Sequence, residues 1–435
     1  MNFHSNIDKK TTNEIEALQG KLLKEIVEYV NINSAYYKLV LKKENVSSDD
    51  IQGIADIKFL PITSKEDIQR DNWAFLCVQR NRIAELVSTT GTTGVPIFFA
   101  MTVDDLERLA ENERRCFSFI GAGNSDLFQI TVTLDNLFIA GMAYYRGLLK
   151  LGAGVIRIGP CSPQRQLKLI RTLKPTGIVA VPSFMLAIYK EAEREGIKLD
   201  EFGMKKAVLI GECIKNIDLS SNTLGKMLMN KNSNIEYYST YGVTEAAIAF
   251  CECPYHQGFH SHPDLIFAEI LDSEGKEVKE GEIGELVLTS FKVEGMPLIR
   301  YRTGDMTFKI TGRCDCGRTS LRIGPIIGRK AHKLKLKGTT VYPKAIENAL
   351  LEIEEVVCYL IEAHTGDDHA DHVIVKVGSM AESKALAKTI CKKIKEKIRV
   401  TPQVEVILPN EIEKQLHEGG GRKPKVFIDK RQNIL

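Results

Sequence analysis

Residues Ser88 to Pro96 read Ser-Thr-Thr-Gly-Thr-Thr-Gly-Val-Pro, so seven consecutive small residues, five with hydroxyls and two of them glycines, stand where no core can be built. Glycines let a backbone turn tightly and approach a ligand, while hydroxyls and exposed N–H groups suit an anion. The stretch Ala84-Glu85-Leu86-Val87 ahead of the run predicts a strand entering it. The run therefore reads either as a loop closing over phosphate or as a flexible connector. It departs from the P-loop pattern, which needs a lysine after its last glycine, because Val95 and Pro96 follow here.

A second chemistry lies in the cysteines and histidines. Cys253, His260, Cys314 and Cys316 offer four soft or borderline ligands, the number and kind of a closed tetrahedral zinc site. Cys251, His256 and His262 compete for the same roles, and free thiols beside surface histidines are the plain alternative. Cys77, Cys116, Cys358 and Cys391 are scattered and read as small hydrophobes. Ten cysteines in 435 residues do not make a disulfide scaffold.

The elements that must carry these residues alternate. Periodicity predicts an amphipathic helix over 13–30 and a short helix opened by Thr63 or Ser64. Strands are expected at 128–133, 154–158, 177–181, 206–210 and 235–238, with helices at 137–151, 164–173 and 184–195 between them. Such alternation argues for an α/β fold with a mainly parallel sheet, whose ligands bind at the carboxyl ends of the strands. The loops gathered there would be 89–94, 133–136, 211–212 and 239–245. From residue 265 the texture changes to short β segments (266–271, 284–290, 298–301 and 306–310), a β subdomain over about 265–327 that completes a large N-terminal domain, 1–327. Residues 328–435 read as a smaller α+β domain, with a helix starting at Pro343 and a long one over 383–398.

Composition bounds the rest. With 43% hydrophobic and 26% charged residues and a net charge of +3, the chain is an ordinary globular protein without a nucleic-acid surface. No apolar run is long enough to span a bilayer and the N-terminus carries no signal pattern, so no membrane role and a cytoplasmic location are expected.

Taken in order, these stretches resemble the adenylate-forming superfamily of acyl-CoA synthetases, most closely its phenylacetate-CoA ligase branch. The resemblance implies ATP, Mg²⁺ and coenzyme A, a small carboxylic acid of aryl or arylacetic type, and a C-terminal domain that rotates about a hinge between two half-reactions. Ser88, Thr89, Thr90, Gly91, Thr92, Thr93 and Gly94 look like the family's phosphate loop. Tyr241, Gly242, Val243, Thr244 and Glu245 look like its Tyr-Gly-x-Thr-Glu motif, in which Thr244 would bind phosphate and Glu245 would hold Mg²⁺. Gly211 and Glu212 fall along the adenine, Asp305 would accept from the ribose hydroxyls, and Arg329 would open the hinge and contact the ribose. Lys423 aligns best with the adenylation lysine, with Lys425 as the alternative. The hinge departs from the family in placing Ala331 at the pivot. Some relatives with a similar cysteine and histidine arrangement carry zinc, which implies a structural Zn²⁺ on Cys253, His260, Cys314 and Cys316.

The same resemblance places the acid along the helix carrying Tyr144 and Tyr145 and beside Tyr238, although tyrosines at helical spacing also suit a core. The acceptor is coenzyme A or, alternatively, the phosphopantetheine of an acyl carrier protein. A non-catalytic nucleotide-binding protein is the rival from another class, and a homodimer is left open.

Overall fold

The computed structural model describes residue 3 and residues 6–89, 96–336, 339–365, 371–380, 383–416 and 425–431. It divides into two units, the first made of Met1–Ser220, Gly225–Thr303 and Thr307–Pro325, the second of Ser221–Leu224, Gly304–Met306 and Ile326–Leu435.

A nine-stranded sheet organises the first unit. Its parallel part runs, in spatial order, Glu236–Val243, Lys206–Ile210, Gly177–Ala180, Leu127–Ile130 and Gly154–Arg157. Parallel neighbours cannot be joined by a tight turn, so the chain must cross over between them. Helices Ile139–Leu151, Pro163–Leu173 and Pro182–Arg194 make three of these crossovers. The winding changes direction beside Leu127–Ile130, because the chain first builds the outer strand Gly154–Arg157 and then returns to Gly177–Ala180 on the other side. A crevice at the carboxyl ends is expected at such a reversal.

Beyond Val243 the chain doubles back. Ile248–Cys251 pairs antiparallel with the end of Glu236–Val243, and Phe259–His260, Arg322–Ile323 and Lys309–Ile310 add to it in turn. Of the strand expected at 306–310, Lys309–Ile310 thus extends the main sheet instead, while Ile266–Leu271 and Gly284–Ser290 pair antiparallel in a separate sheet. The apolar run 298–301 is not a strand over most of its length. Leu298 and Ile299 are core residues, and the ladder starts only at Tyr301 and runs to Thr307. An apolar run reports burial, which a loop anchored in the core satisfies as well as a strand does.

The largest element missed in the sequence reading is the helix Val103–Phe119. Thr102 caps it in a reciprocal box with Asp105, yet Asp105, Arg108, Glu111, Asn112, Glu113 and Arg115 are all buried. It packs tightly on Ile139–Leu151, where a Cβ on Gly147 would lie 2.3 Å from the Cβ of Glu113. By contrast Thr12–Asn33 buries an ordinary stripe that includes Leu22, Leu23, Ile26, Val27 and Val30.

The second unit holds a four-stranded sheet in the order Gln403–Ile407, Asp371–Gly378, Cys358–Thr365, Phe427–Asp429. The central pair is antiparallel and the outer strands join it in parallel. Ile346 and Leu350 of helix Pro343–Leu350 pack with Leu386, Ile390 and Ile394 of helix Ser383–Ile398 and with Val373 and Val375 of the sheet.

Candidate active site and two cysteine–histidine clusters

The small-residue run connects two antiparallel strands, Glu85–Ser88 and Phe98–Met101, with Ser88 opposite Phe98. This corrects the sequence reading in one respect, since the entering strand belongs to this two-stranded hairpin rather than to the parallel sheet. It still reaches the carboxyl end of that sheet, because the Ser88 amide donates to the Leu137 carbonyl at 2.9 Å, in the loop following Leu127–Ile130. The Thr89 amide donates to the Ile97 carbonyl at 3.2 Å, and its buried Oγ1 has no partner among the described residues. Thr90, Gly91, Thr92, Thr93 and Gly94 lie outside the described residues.

Thr244 and Glu245 follow the strand Glu236–Val243, in a turn closed by the Ala247 amide on the Thr244 carbonyl at 3.1 Å. They line a small cleft with Phe99 and Met101 of the hairpin, Arg108 and Met296. The Tyr301 hydroxyl donates to Glu245 Oε1 at 3.2 Å. Upstream in the same motif, Tyr241 and Gly242 lie opposite Phe250 and Ala249 in the returning strand.

Helix Val103–Phe119 fixes that turn. The fully buried Arg108 donates to the carbonyls of Ala247, Phe291 and Leu265 at 2.7, 2.7 and 2.6 Å. Burial lowers its pKa from the ordinary guanidinium value, partly offset by Asp105 and Asp264. The Asp105 carboxylate accepts from the amides of Glu294 and Gly295 at 2.7 and 2.9 Å, and Asn112 brackets Ala249, donating to its carbonyl at 3.0 Å and accepting from its amide at 2.6 Å. The sequence reading missed these positioning residues. Their one signal was the Thr102-x-x-Asp105 cap, and the charges that follow look like a solvated face.

At the end of Lys206–Ile210, Gly211 takes a φ of +84°, and Glu212 accepts from the Ser183 amide and hydroxyl at 2.8 and 2.9 Å. Glu212 thereby caps the first turn of helix Pro182–Arg194, where a carboxylate is favoured. Tyr144 and Tyr238 are buried in one core cluster with Phe117, Phe128 and Val208. The Tyr238 hydroxyl donates to Glu236, and its ring stacks on His256 at 5.4 Å. Tyr145 is only partly buried at the rim of that cluster, with the Arg157 guanidinium 5.3 Å from its ring centre.

Asp305 and Arg329 belong to the second unit. They face each other across an antiparallel pair, with Arg329 Nε 2.9 Å from Asp305 Oδ1. Ala331 lies in the short helix Lys330–His332, and its carbonyl accepts from Arg431 Nη2 at 2.8 Å. Lys423 lies outside the described residues. Lys425 is exposed, and its amide donates to the Leu416 carbonyl at 2.9 Å.

The competing soft ligands sort into two groups. Cys253, His260, Cys314 and Cys316 bring their ligand atoms within 4.8 Å of one another. Cys253 and Cys314 sulfurs are 3.7 Å apart, and Cys316 Sγ is 3.5 Å from His260 Nε2. The turn that presents the cysteine pair closes through the Gly317 amide on the Cys314 carbonyl at 2.8 Å, with Gly317 at a φ of +85°. Burial first, then Arg318 and Arg322, pull the His260 pKa down to about 3, so its ring is neutral near pH 7, the state that ligates metals. Cys251 and His262 are excluded from this set and form a second group with Cys116. His256 joins neither, and its Nδ1 lies 3.5 Å from Glu252.

The sequence pattern of the AMP-binding enzyme family matches residues 26–293, and that of the AMP-binding enzyme C-terminal domain matches residues 338–431. The phenylacetate-coenzyme A ligase of Thermus thermophilus is 30% identical over 97% of this chain and 98% of its own. That of Aromatoleum evansii is 30% identical over 94% and 93%. Among solved structures, a 2-hydroxyisobutyryl-CoA ligase in the postadenylation state with 2-HIB-AMP superposes with a TM-score of 0.82 at 20% identity, covering 96% of this chain and 91% of that one. With both family patterns matched in order and full-length relatives at that identity, the chain belongs to the AMP-binding enzyme family.

Proposed function

We propose that the protein activates a carboxylic acid with ATP and passes the acyl group to coenzyme A, the acid being aryl or arylacetic. The observation that carries this reading is the similarity to phenylacetate-coenzyme A ligases across nearly the whole of both chains. The cleft shared by the hairpin and the Thr244–Glu245 turn supports it.

In the first step a carboxylate oxygen of the acid attacks the α-phosphorus of ATP, forming the acyl adenylate and releasing pyrophosphate. In the second the thiolate of coenzyme A attacks the acyl carbon and AMP leaves. Both reactants of the first step are anions, so its barrier falls mainly through orientation and charge stabilisation. Ser88, Thr89 and the residues up to Gly94 would cradle the β- and γ-phosphates, with Thr244 contributing its hydroxyl. Glu245 fits a Mg²⁺ ligand, because it is a part-exposed carboxylate in the cleft whose described hydrogen bond comes from one hydroxyl. When bound, Mg²⁺ would screen the phosphate charge.

Gly211, Glu212, Tyr241 and Gly242 would frame the adenine, and Asp305 and Arg329 the ribose, for which their mutual ion pair would open. Lys423 would stabilise the α-phosphate. Tyr144 and Tyr238, satisfied inside the core, would form the aromatic layer behind the acid, with Tyr145 at its edge. Cys253, His260, Cys314 and Cys316 fit a structural Zn²⁺, since three thiols, two of them buried and that of Cys316 half-buried, with a neutral buried imidazole are the donor set of a closed site. We place the enzyme in the cytoplasm, where its ten cysteines, none of them in a disulfide, would stay reduced.

Acid-dependent exchange of pyrophosphate into ATP, run across aryl, arylacetic and short aliphatic acids, tests the first step. Arylacetic acids should stimulate it most, and AMP release should then require coenzyme A. If no acid stimulates exchange, the reading fails. Lys423→Ala should cripple exchange while sparing thioester formation from supplied adenylate, and the same phenotype from Lys425→Ala instead would shift the assignment by two residues.

A further inference from the structure

Cys251 and His262 repeat, one step along the sheet, the relation between Cys253 and His260. Cys251 lies directly opposite His260 in the antiparallel pair. In that register each histidine sits two residues beyond the position facing its cysteine, a diagonal whose side chains share one face of the sheet. Cys314 and Cys316 complete the first diagonal, and Cys116, from helix Val103–Phe119, completes the second.

The second group is at least as well enclosed as the first. Cys116, Cys251 and His262 are 6%, 4% and 0% exposed, and their ligand atoms all lie within 4.8 Å of one another. Cys116 Sγ is 3.4 Å from His262 Nε2. Among the described residues His262 Nδ1 and, one helical turn before Cys116, the buried Oε2 of Glu113 have no hydrogen-bond partner. Buried polar groups without partners are destabilising, and a cation held by the thiolates would offset part of that cost.

We propose that Cys116, Cys251 and His262 hold a second Zn²⁺ ion. A divalent ion offsets the charge of two thiolates in this buried setting, and zinc accepts sulfur and imidazole together. Binding would release the two thiol protons to solvent. The ion would tie the helix that fixes the Glu245 turn through Arg108 to the strand Ile248–Cys251, a role separate from adenylation and from the first cluster.

The test is metal content per chain in the full-length protein purified after zinc loading, with Cys314→Ser and Cys116→Ser variants reporting on one cluster each. About two equivalents are expected in the wild type and about one in either variant, against one per closed site. One equivalent that survives Cys116→Ser but is lost in Cys314→Ser overturns this proposal and leaves the first site standing. One equivalent with the opposite pattern upholds the second site and removes the first. Should Cys116→Ser fail to fold, ¹¹³Cd NMR of the cadmium-loaded wild type decides. Two resonances of different sulfur content support the second site, and a single one of three-sulfur type overturns it, as does a Cys116–Cys251 disulfide found by mass spectrometry.

Discussion

Helices Thr12–Asn33 and Val103–Phe119 are both held against the same core cluster, by opposite means. The first buries aliphatic side chains, whose attraction is non-directional and roughly proportional to area. The second buries charges and amides, each aimed at a particular backbone group or partner. Arg108 takes three carbonyls, Asp105 takes the amides of Glu294 and Gly295, and Arg115 makes a two-pronged pair with Asp264 at 2.6 and 3.1 Å. Apolar packing holds an element in place and tolerates small shifts. A directed polar network fixes position, and here it fixes the turn that carries Glu245.

The contrast breaks if the two helices respond alike to mutation. Arg108→Ala would take a donor from three carbonyls, of which that of Leu265 keeps the Phe291 amide at 2.9 Å, at a cost of about 4 kcal/mol in urea unfolding, and acid-dependent exchange should fall more steeply than stability because the Ala247 carbonyl loses its anchor. Full activity in the folded fraction would show that Arg108 does not position the turn. Leu23→Ala, in the outer helix, should cost about 3 kcal/mol through its cavity with the kinetic constants of the folded enzyme unchanged. A specific loss of kcat there would erase the distinction.

Smaller changes sharpen the same comparison. Asn112→Ala should cost about 2 kcal/mol by orphaning both backbone groups of Ala249, with a measurable fall in exchange rate. Thr11→Ala removes the cap that accepts from the Glu14 amide at 3.3 Å and should cost about 1 kcal/mol, read as a small drop in thermal midpoint without any kinetic effect.

Much of the fold was legible because its elements follow period. The expected strands 206–210, 266–271 and 284–290 and the expected helix 383–398 coincide with Lys206–Ile210, Ile266–Leu271, Gly284–Ser290 and Ser383–Ile398. Helix Val103–Phe119 carries a helical period at Val103, Leu106, Leu109, Ala110, Cys116 and Phe117 that went unread, and what the sequence could not show is that its charged residues are buried along with its apolar ones. The hairpin around the small-residue run was half seen, because an entering strand shows its own pattern but not the partner it pairs with.

The sequence by itself determined which chemistries were present: a hydroxyl- and glycine-rich run suited to phosphate, a carboxylate at Glu245, and enough soft ligands for a metal. Only the tertiary structure decided how they combine. Residues 251, 253, 260 and 262 alternate along two segments, and nothing in that spacing says which cysteine meets which histidine. The antiparallel register set by the Cys251–His260 pair, together with a helix from 135 residues earlier in the chain, divides them into two groups. Spacing fixes which side chains share a face, whereas the faces that meet are chosen by packing over the whole core.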